Sequence, residues 1–155
     1  MTSSNDVESV ERFIPAPASA IFDLLADPAR HQDIDGSGTV REAKAGSERL
    51  KLGATFGMSM KVGIGYSMQS TVIEFEEDRR IAWQTRPPST IGGMIAGGRI
   101  WRYELEPADG GTTVRESWDI SHEVQKWMVR SARKKNITGM AKTLERIESL
   151  LAATS

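Results

Sequence analysis

The chain has 155 residues, with 20 lysines and arginines against 21 aspartates and glutamates for a net charge of −1, two histidines and no cysteine. That length suits one domain with one core, not two domains facing across a cleft. The balanced charge offers no field for nucleic acid or an acidic membrane, and the lack of cysteine removes disulfides, thiolate metal sites and a cysteine nucleophile, leaving His31 and His122 as imidazole ligands.

Residues 1–6 are polar, without a basic stretch leading into an apolar run, and no later segment is long and apolar enough to span a bilayer. They are read as a flexible tail on a single domain covering 7–152, in a cytoplasmic protein without stable membrane insertion. Residues 7–14 carry Val10 and Ile14 among charges and stop at Pro15, which cannot donate to a ladder, so they form an opening strand. In 18–27, Ile21, Phe22, Leu24 and Leu25 follow at helical spacing, with Ser19 near the start. Asp27-Pro28 ends that helix, because the residue before a proline disfavours helical backbone. Pro28 opens a second short helix over 28–34, which Asp35-Gly36-Ser37-Gly38 terminates.

From residue 39 the texture changes to short strands at 39–45, 55–62, 66–76, 80–86, 99–106 and 112–121, which with the first makes seven. Gly63-Ile64-Gly65, Glu77-Asp78-Arg79 and Asp109-Gly110-Gly111 are short and rich in turn formers, so consecutive strands are antiparallel neighbours. The link 87–98 differs, with two prolines, four glycines and apolar Ile91, Met94 and Ile95; it is either a lid or an insertion packed on the nearest apolar surface. Between 121 and 136 the chain is basic, with Lys126, Arg130, Arg133, Lys134 and Lys135 beside Trp127 and Met128. The solvated face of a short helix, with Trp127 in the core, is preferred there over contact with phosphate or membrane.

Last, Ile137, Met140, Leu144, Ile147 and Leu151 recur at steps of three and four, one apolar stripe on a helix over 136–151. Such a stripe needs a face to cover. The arrangement that provides one is an α+β fold: a curved seven-stranded antiparallel sheet, two short helices after the first strand, and the long C-terminal helix across the concave face.

Alternation along the strands selects the inward side chains. Trp101, Tyr103 and Leu105 share one face against Arg102, Glu104 and Glu106, and the same logic groups Phe56, Met58 and Met60, then Ile81 and Trp83, then Val114, Glu116, Trp118 and Ile120. In 66–76, Met68 and Val72 argue for one face and Ile73 and Phe75 for the other, which a bulge midway would reconcile.

This order of elements resembles the SRPBCC superfamily, the START-like or Bet v 1-like helix-grip fold. Ile14-Pro15-Ala16-Pro17 leading into Ile21-Phe22-Asp23-Leu24-Leu25-Ala26-Asp27-Pro28, then Glu74-Phe75-Glu76-Glu77-Asp78-Arg79-Arg80-Ile81-Ala82-Trp83, then Trp101-Arg102-Tyr103-Glu104-Leu105, are similar to bacterial members labelled polyketide cyclase/dehydrase-like. The resemblance covers about 7–151 and implies a ligand cavity between the sheet and the final helix. It implies no catalytic residue, because the family shares no universal catalytic motif and its members bind lipids, hormones, polyketides and quinones, or assist folding.

The expected ligand-binding set is Met58, Met60, Met68, Trp83, Trp101, Tyr103, Glu116, Trp118 and Met140. Methionine adapts its shape and tryptophan offers flat apolar area, a mixture that suits an apolar or aromatic guest, although core packing alone would explain any one of them. Glu116 and Tyr103 are the candidate acid/base groups. Inside, burial would raise the pKa of Glu116; the preferred alternative puts it at the rim or against Arg99. His31 and His122 fit no metal or triad spacing and are expected to be exposed or capping. No serine sits in a Gly-x-Ser-x-Gly elbow, and Gly92-Gly93 and Gly97-Gly98 lack the lysine of a phosphate loop.

No metal and no cofactor are expected. Three functions compete: a monomeric or homodimeric binder of a small hydrophobic molecule such as a lipid or polyketide; a cyclase, aromatase or dehydratase working in the same cavity; and a co-chaperone-like partner binding through 126–135.

Overall fold

The elements run β1 (Val7–Ile14), α1 (Ala18–Leu25), a 3-10 turn (Pro28–Arg30), α2 (His31–Ile34), β2 (Val40–Lys44), β3 (Thr55–Val62), β4 (Ile64–Glu76), β5 (Arg80–Arg86), β6 (Arg99–Ala108), β7 (Gly111–Asp119), α3 (Lys126–Arg130) and α4 (Arg133–Thr154). This is a computed structural model. It describes residues 6–36, 40–44, 48–62, 64–87, 97–123 and 126–154, and only the backbone path in 40–44, 58–62, 64–67, 128–129 and 153–154. The strands lie in the order β1-β7-β6-β5-β4-β3-β2, with every pair antiparallel. Sequential hairpins thus build the sheet from β2 to β7, and β1 closes it from the far end of the sequence.

α1 begins after an extended Pro17 with no side-chain cap, so Ser19 plays no capping part. Asp27 Oδ1 accepts the Ala29 N–H at 3.0 Å, and Pro28 with its fixed φ follows directly. The second expected helix is therefore a 3-10 turn that passes into one α turn.

In β4 the pairing with β5 shifts between Val72 and Glu74. Val72 is buried and Ile73 is 37% exposed, while Phe75 packs edge-on against Phe22 at 5.3 Å. The bulge turns Ile73 out and lets both Val72 and Phe75 face the core.

α4 starts at Arg133, one turn before its apolar stripe, and buries Met140, Leu144 and Ile147 against the sheet. Leu144 and Ile147 share a core with Ile14, Phe22, Trp83, Tyr103, Leu105 and Val114. A second contact fixes the helix laterally: the Gly36 N–H donates to Thr143 Oγ1 at 2.8 Å, and that hydroxyl donates to Gly139 O at 3.0 Å. A Cβ on Gly36 would meet Gly139 O at 2.5 Å as well as the Thr143 amide. Gly36→Ala should therefore cost about 1–3 kcal/mol as an overpacked contact, measurable as a lower urea midpoint; an unchanged midpoint would mean that the 35–36 turn does not press on α4.

The basic stretch takes a different role from the one expected. Lys126 Nζ and the Arg130 guanidinium reach Asp6 at 3.1 and 2.7 Å, and Arg133 pairs with Glu8. Hydrogen bonds from Arg130 and Lys126 hold the Asp6 carboxyl below its ordinary range. Asp6 is itself buried, and its carbonyl accepts the Ile120 N–H at 2.8 Å. It belongs to the folded unit, not to a tail. Trp127 is 72% exposed, because its neighbour Lys126 and Arg130, one turn on, face Asp6 and hold the helix by its charged side.

Candidate functional site

β6 and β7 place Trp101 opposite Trp118, Tyr103 opposite Glu116 and Leu105 opposite Val114, and β5 adds Trp83 opposite Trp101 and Ile81 opposite Tyr103. Alternation puts these side chains on the α4 side. At their centre the Tyr103 hydroxyl donates to Glu116 Oε1 at 2.7 Å, with the two residues 5% and 3% exposed. Glu116 Oε2 is buried without a hydrogen-bond partner.

The electrostatics follow from that burial. Loss of water pushes the Glu116 carboxyl up to about 8; the Tyr103 hydrogen bond opposes the rise and negative Asp35 adds to it. Burial, with Glu116 beside it, raises the Tyr103 phenol well above its ordinary value. At neutral pH the pair is thus a phenol donating to a mostly protonated carboxyl group. Arg99 does not reach Glu116. It lies 3.6 Å from Glu123, so the preferred reading of Glu116 as a rim residue or an Arg99 partner is overturned.

His31 is also a correction. It is 6% exposed, with Nε2 2.8 Å from Leu25 O, its ring stacked on Trp83 at 4.9 Å and edge-on to Phe56 at 5.3 Å. A carbonyl only accepts, so Nε2 carries the hydrogen, and burial keeps the ring neutral by lowering its pKa. Trp83 in turn lies 5.6 Å from Tyr103. His31, Trp83, Tyr103 and Glu116 therefore form one continuous contact series. The signal for His31 was available, since Pro28, His31 and Ile34 recur every three residues and all three are buried. A second buried polar pair, Ser70 and Thr85 with hydroxyls 2.8 Å apart, left no sequence signal beyond its place in the strands.

Trp118 packs with Ile120 and Met140, lies 6.4 Å from Trp101, and has a buried, unpaired Nε1. Trp101 is partly buried and touches both core clusters. Met68 is half-buried opposite Met58; the side chains of Met58 and Met60 lie outside the described residues, as do 88–96 of the expected lid. The end of that link is fixed. The Gly97 N–H donates to Glu123 Oε1 at 2.8 Å, and Gly98 donates to Thr85 O at 2.9 Å and accepts from Gln84 Nε2 at 3.0 Å. Gly98 holds φ +111 with no room for a Cβ beside His122 O, and His122 itself is exposed.

Among the described residues no group of three or more acidic, histidine or cysteine side chains is placed to hold a metal, and no helix is long and apolar enough to cross a membrane. On the outer face of the sheet a groove of about 380 Å³ runs among Glu11, Arg80, Glu104 and Arg115. There Arg80 already pairs with Glu104 and Arg115 with Glu11, so the open groove presents neutralised charges, whereas the inner face presents two polar atoms without a partner, Glu116 Oε2 and Trp118 Nε1.

Comparison with known proteins places these features in a family. An uncharacterized protein of Mycobacterium tuberculosis is 29% identical over 147 residues, covering 90% of this chain and 61% of that protein. The chain thus spans about three-fifths of the length of the curated relatives it matches. Among solved structures, protein Ms6760 of Mycobacterium smegmatis superposes with a TM-score of 0.74 at 16% identity, covering 100% of this chain and 97% of that one. The polyketide_cyc-like protein Cgl2372 of Corynebacterium glutamicum does so with 0.62 at 23%, covering 99% and 95%. These two likenesses support the fold. The family model described as polyketide cyclase / dehydrase and lipid transport matches residues 8–152, and the chain belongs to that family.

Proposed function

We propose that the protein binds a small apolar or aromatic molecule, of lipid or polyketide kind, between the sheet and α4, with the polar end of the guest at Tyr103 and Glu116. The observation that carries this is the unpaired Glu116 Oε2, buried beside the apolar core that holds Tyr103. A buried polar atom without a partner costs about 1–3 kcal/mol, and a ligand group would relieve that cost where core packing does not. The resemblance to the helix-grip fold, with α4 over a concave sheet, implies room for such a guest at that contact.

A second reading has its own support. A carboxyl group pushed up to about 8 gives or takes a proton readily near neutral pH, so Glu116 would serve a cyclisation or dehydration of a guest held against it. The co-chaperone reading loses ground, because Lys126, Arg130 and Arg133 are engaged by Asp6 and Glu8.

The test uses 2-acetylnaphthalene as the probe. It should quench tryptophan fluorescence saturably, and Trp101→Ala, which removes partly buried aromatic area, should weaken it by about tenfold. If the probe binds equally well to folded Trp83→Ala and Trp101→Ala, those residues are core and the assignment fails. A cyclised product formed from a poly-β-ketone thioester by the wild type, and not by Glu116→Gln, would carry the catalytic reading.

A further inference from the structure

Glu116 and Trp118 stand two residues apart on β7, on the face turned to α4, and each ends in a buried polar atom without a hydrogen-bond partner, Oε2 and Nε1. An indole N–H only donates. The other oxygen of Glu116 is already occupied by the Tyr103 hydroxyl, so Oε2 is its free end. Among the described residues no cation acts on the Glu116 carboxyl. β6 supplies the phenol of Tyr103, β1 places Val10 opposite, α4 buries Met140, Thr143 and Leu144, α2 carries the neutral His31, and Asp35 after α2 is the charged group acting on the carboxyl.

We propose that the polar end of this pocket is built for an acceptor oxygen: the ketone or ester carbonyl of an apolar, aromatic or polyketide-like guest, held by hydrogens donated from Glu116 Oε2 and Trp118 Nε1. This rests on the pocket reading above. Because Oε1 accepts from Tyr103, a protonated Glu116 carries its hydrogen on Oε2, the position that faces no partner. A hydrocarbon of the same shape leaves both donors unpaired, the situation in which polar sites discriminate best.

The experiment compares 2-acetylnaphthalene with 2-isopropenylnaphthalene, which replaces the carbonyl oxygen by a CH₂ group of similar shape. Wild-type protein at pH 6.5 should bind the ketone about tenfold more tightly. That preference should fade as the pH passes about 8, where the carboxyl ionises. Glu116→Gln, whose amide keeps a donor and has no proton to lose, should retain the preference at pH 9. Glu116→Leu should abolish it while still binding the hydrocarbon. Equal binding of the two probes by wild type overturns the acceptor-oxygen assignment and leaves the pocket standing. Binding of neither overturns the pocket and this inference with it, and a preference that survives in Glu116→Leu removes Glu116 from the role.

Discussion

Ending the chain at Lys135 should yield protein that does not fold cooperatively. α4 contributes Met140, Leu144 and Ile147, each 2% exposed or less, and burial of side chains of this size is worth about 1.5–3 kcal/mol apiece. Their sum approaches the whole stability of an ordinary domain, about 5–15 kcal/mol. The loss also uncovers Trp118, Val114 and Ile14 on the sheet and removes Thr143, which holds Gly36. Circular dichroism during a thermal scan of the truncated protein checks this. A sharp transition near that of the full chain would refute the packing described for α4.

Between pH 6.5 and 8 the folded protein should lose about 1.4 kcal/mol of stability per pH unit, and Glu116→Gln should largely remove that slope. The sign follows from proton occupancy. The carboxyl releases its proton near 4.5 in the unfolded chain and near 8 in the folded one, so across the interval only the folded state holds the proton and rising pH favours unfolding. The contribution is complete below 4.5 and lost by about 8; at about 1.4 kcal/mol per pH unit this is about 5 kcal/mol. His31 acts in the opposite sense. Its folded value lies below 6.5, so it withdraws stability as the pH falls toward and through 6.5, and the comparison with Glu116→Gln, which keeps His31, cancels that share. Urea midpoints of the two proteins at both ends of the window give the answer, and parallel pH dependence would show a solvated, ionised Glu116.

The legible parts of the molecule were those written in local period. Steps of three and four located α4 and its buried Met140, Leu144 and Ile147, and alternation grouped Glu116 with Val114 and Trp118 and kept both faces of β4 open until the bulge at Ile73 joined them. The errors came where the deciding partner is distant. Trp127 looked like core because tryptophan usually is, but its helix is oriented by Lys126 and Arg130 reaching Asp6, 120 and 124 residues earlier. Arg99 was the expected partner of a rim-placed Glu116; the turn after β7 instead delivers Glu123 to it. His31 was misjudged for a different reason. Its three-residue spacing with Pro28 and Ile34 was present, but a 3-10 turn running into one α turn is too short for a helical pattern to stand out.

The placement of β1 beside β7 imposes an order on folding. Strands β2 to β7 can zip together through links between consecutive strands, but β1 pairs Val7 with Asp119 and Ile14 with Thr112 across almost the whole sequence. Such non-local pairing is slow to form. On the ribosome β1 emerges before the other six strands of this sheet and waits, unpaired, until its partner is synthesised. Its outward row, Val7, Ser9, Glu11 and Phe13, and its inward row, Glu8, Val10, Arg12 and Ile14, each mix charged or polar residues with apolar ones. An edge interrupted in this way resists premature pairing with a neighbouring chain during that interval.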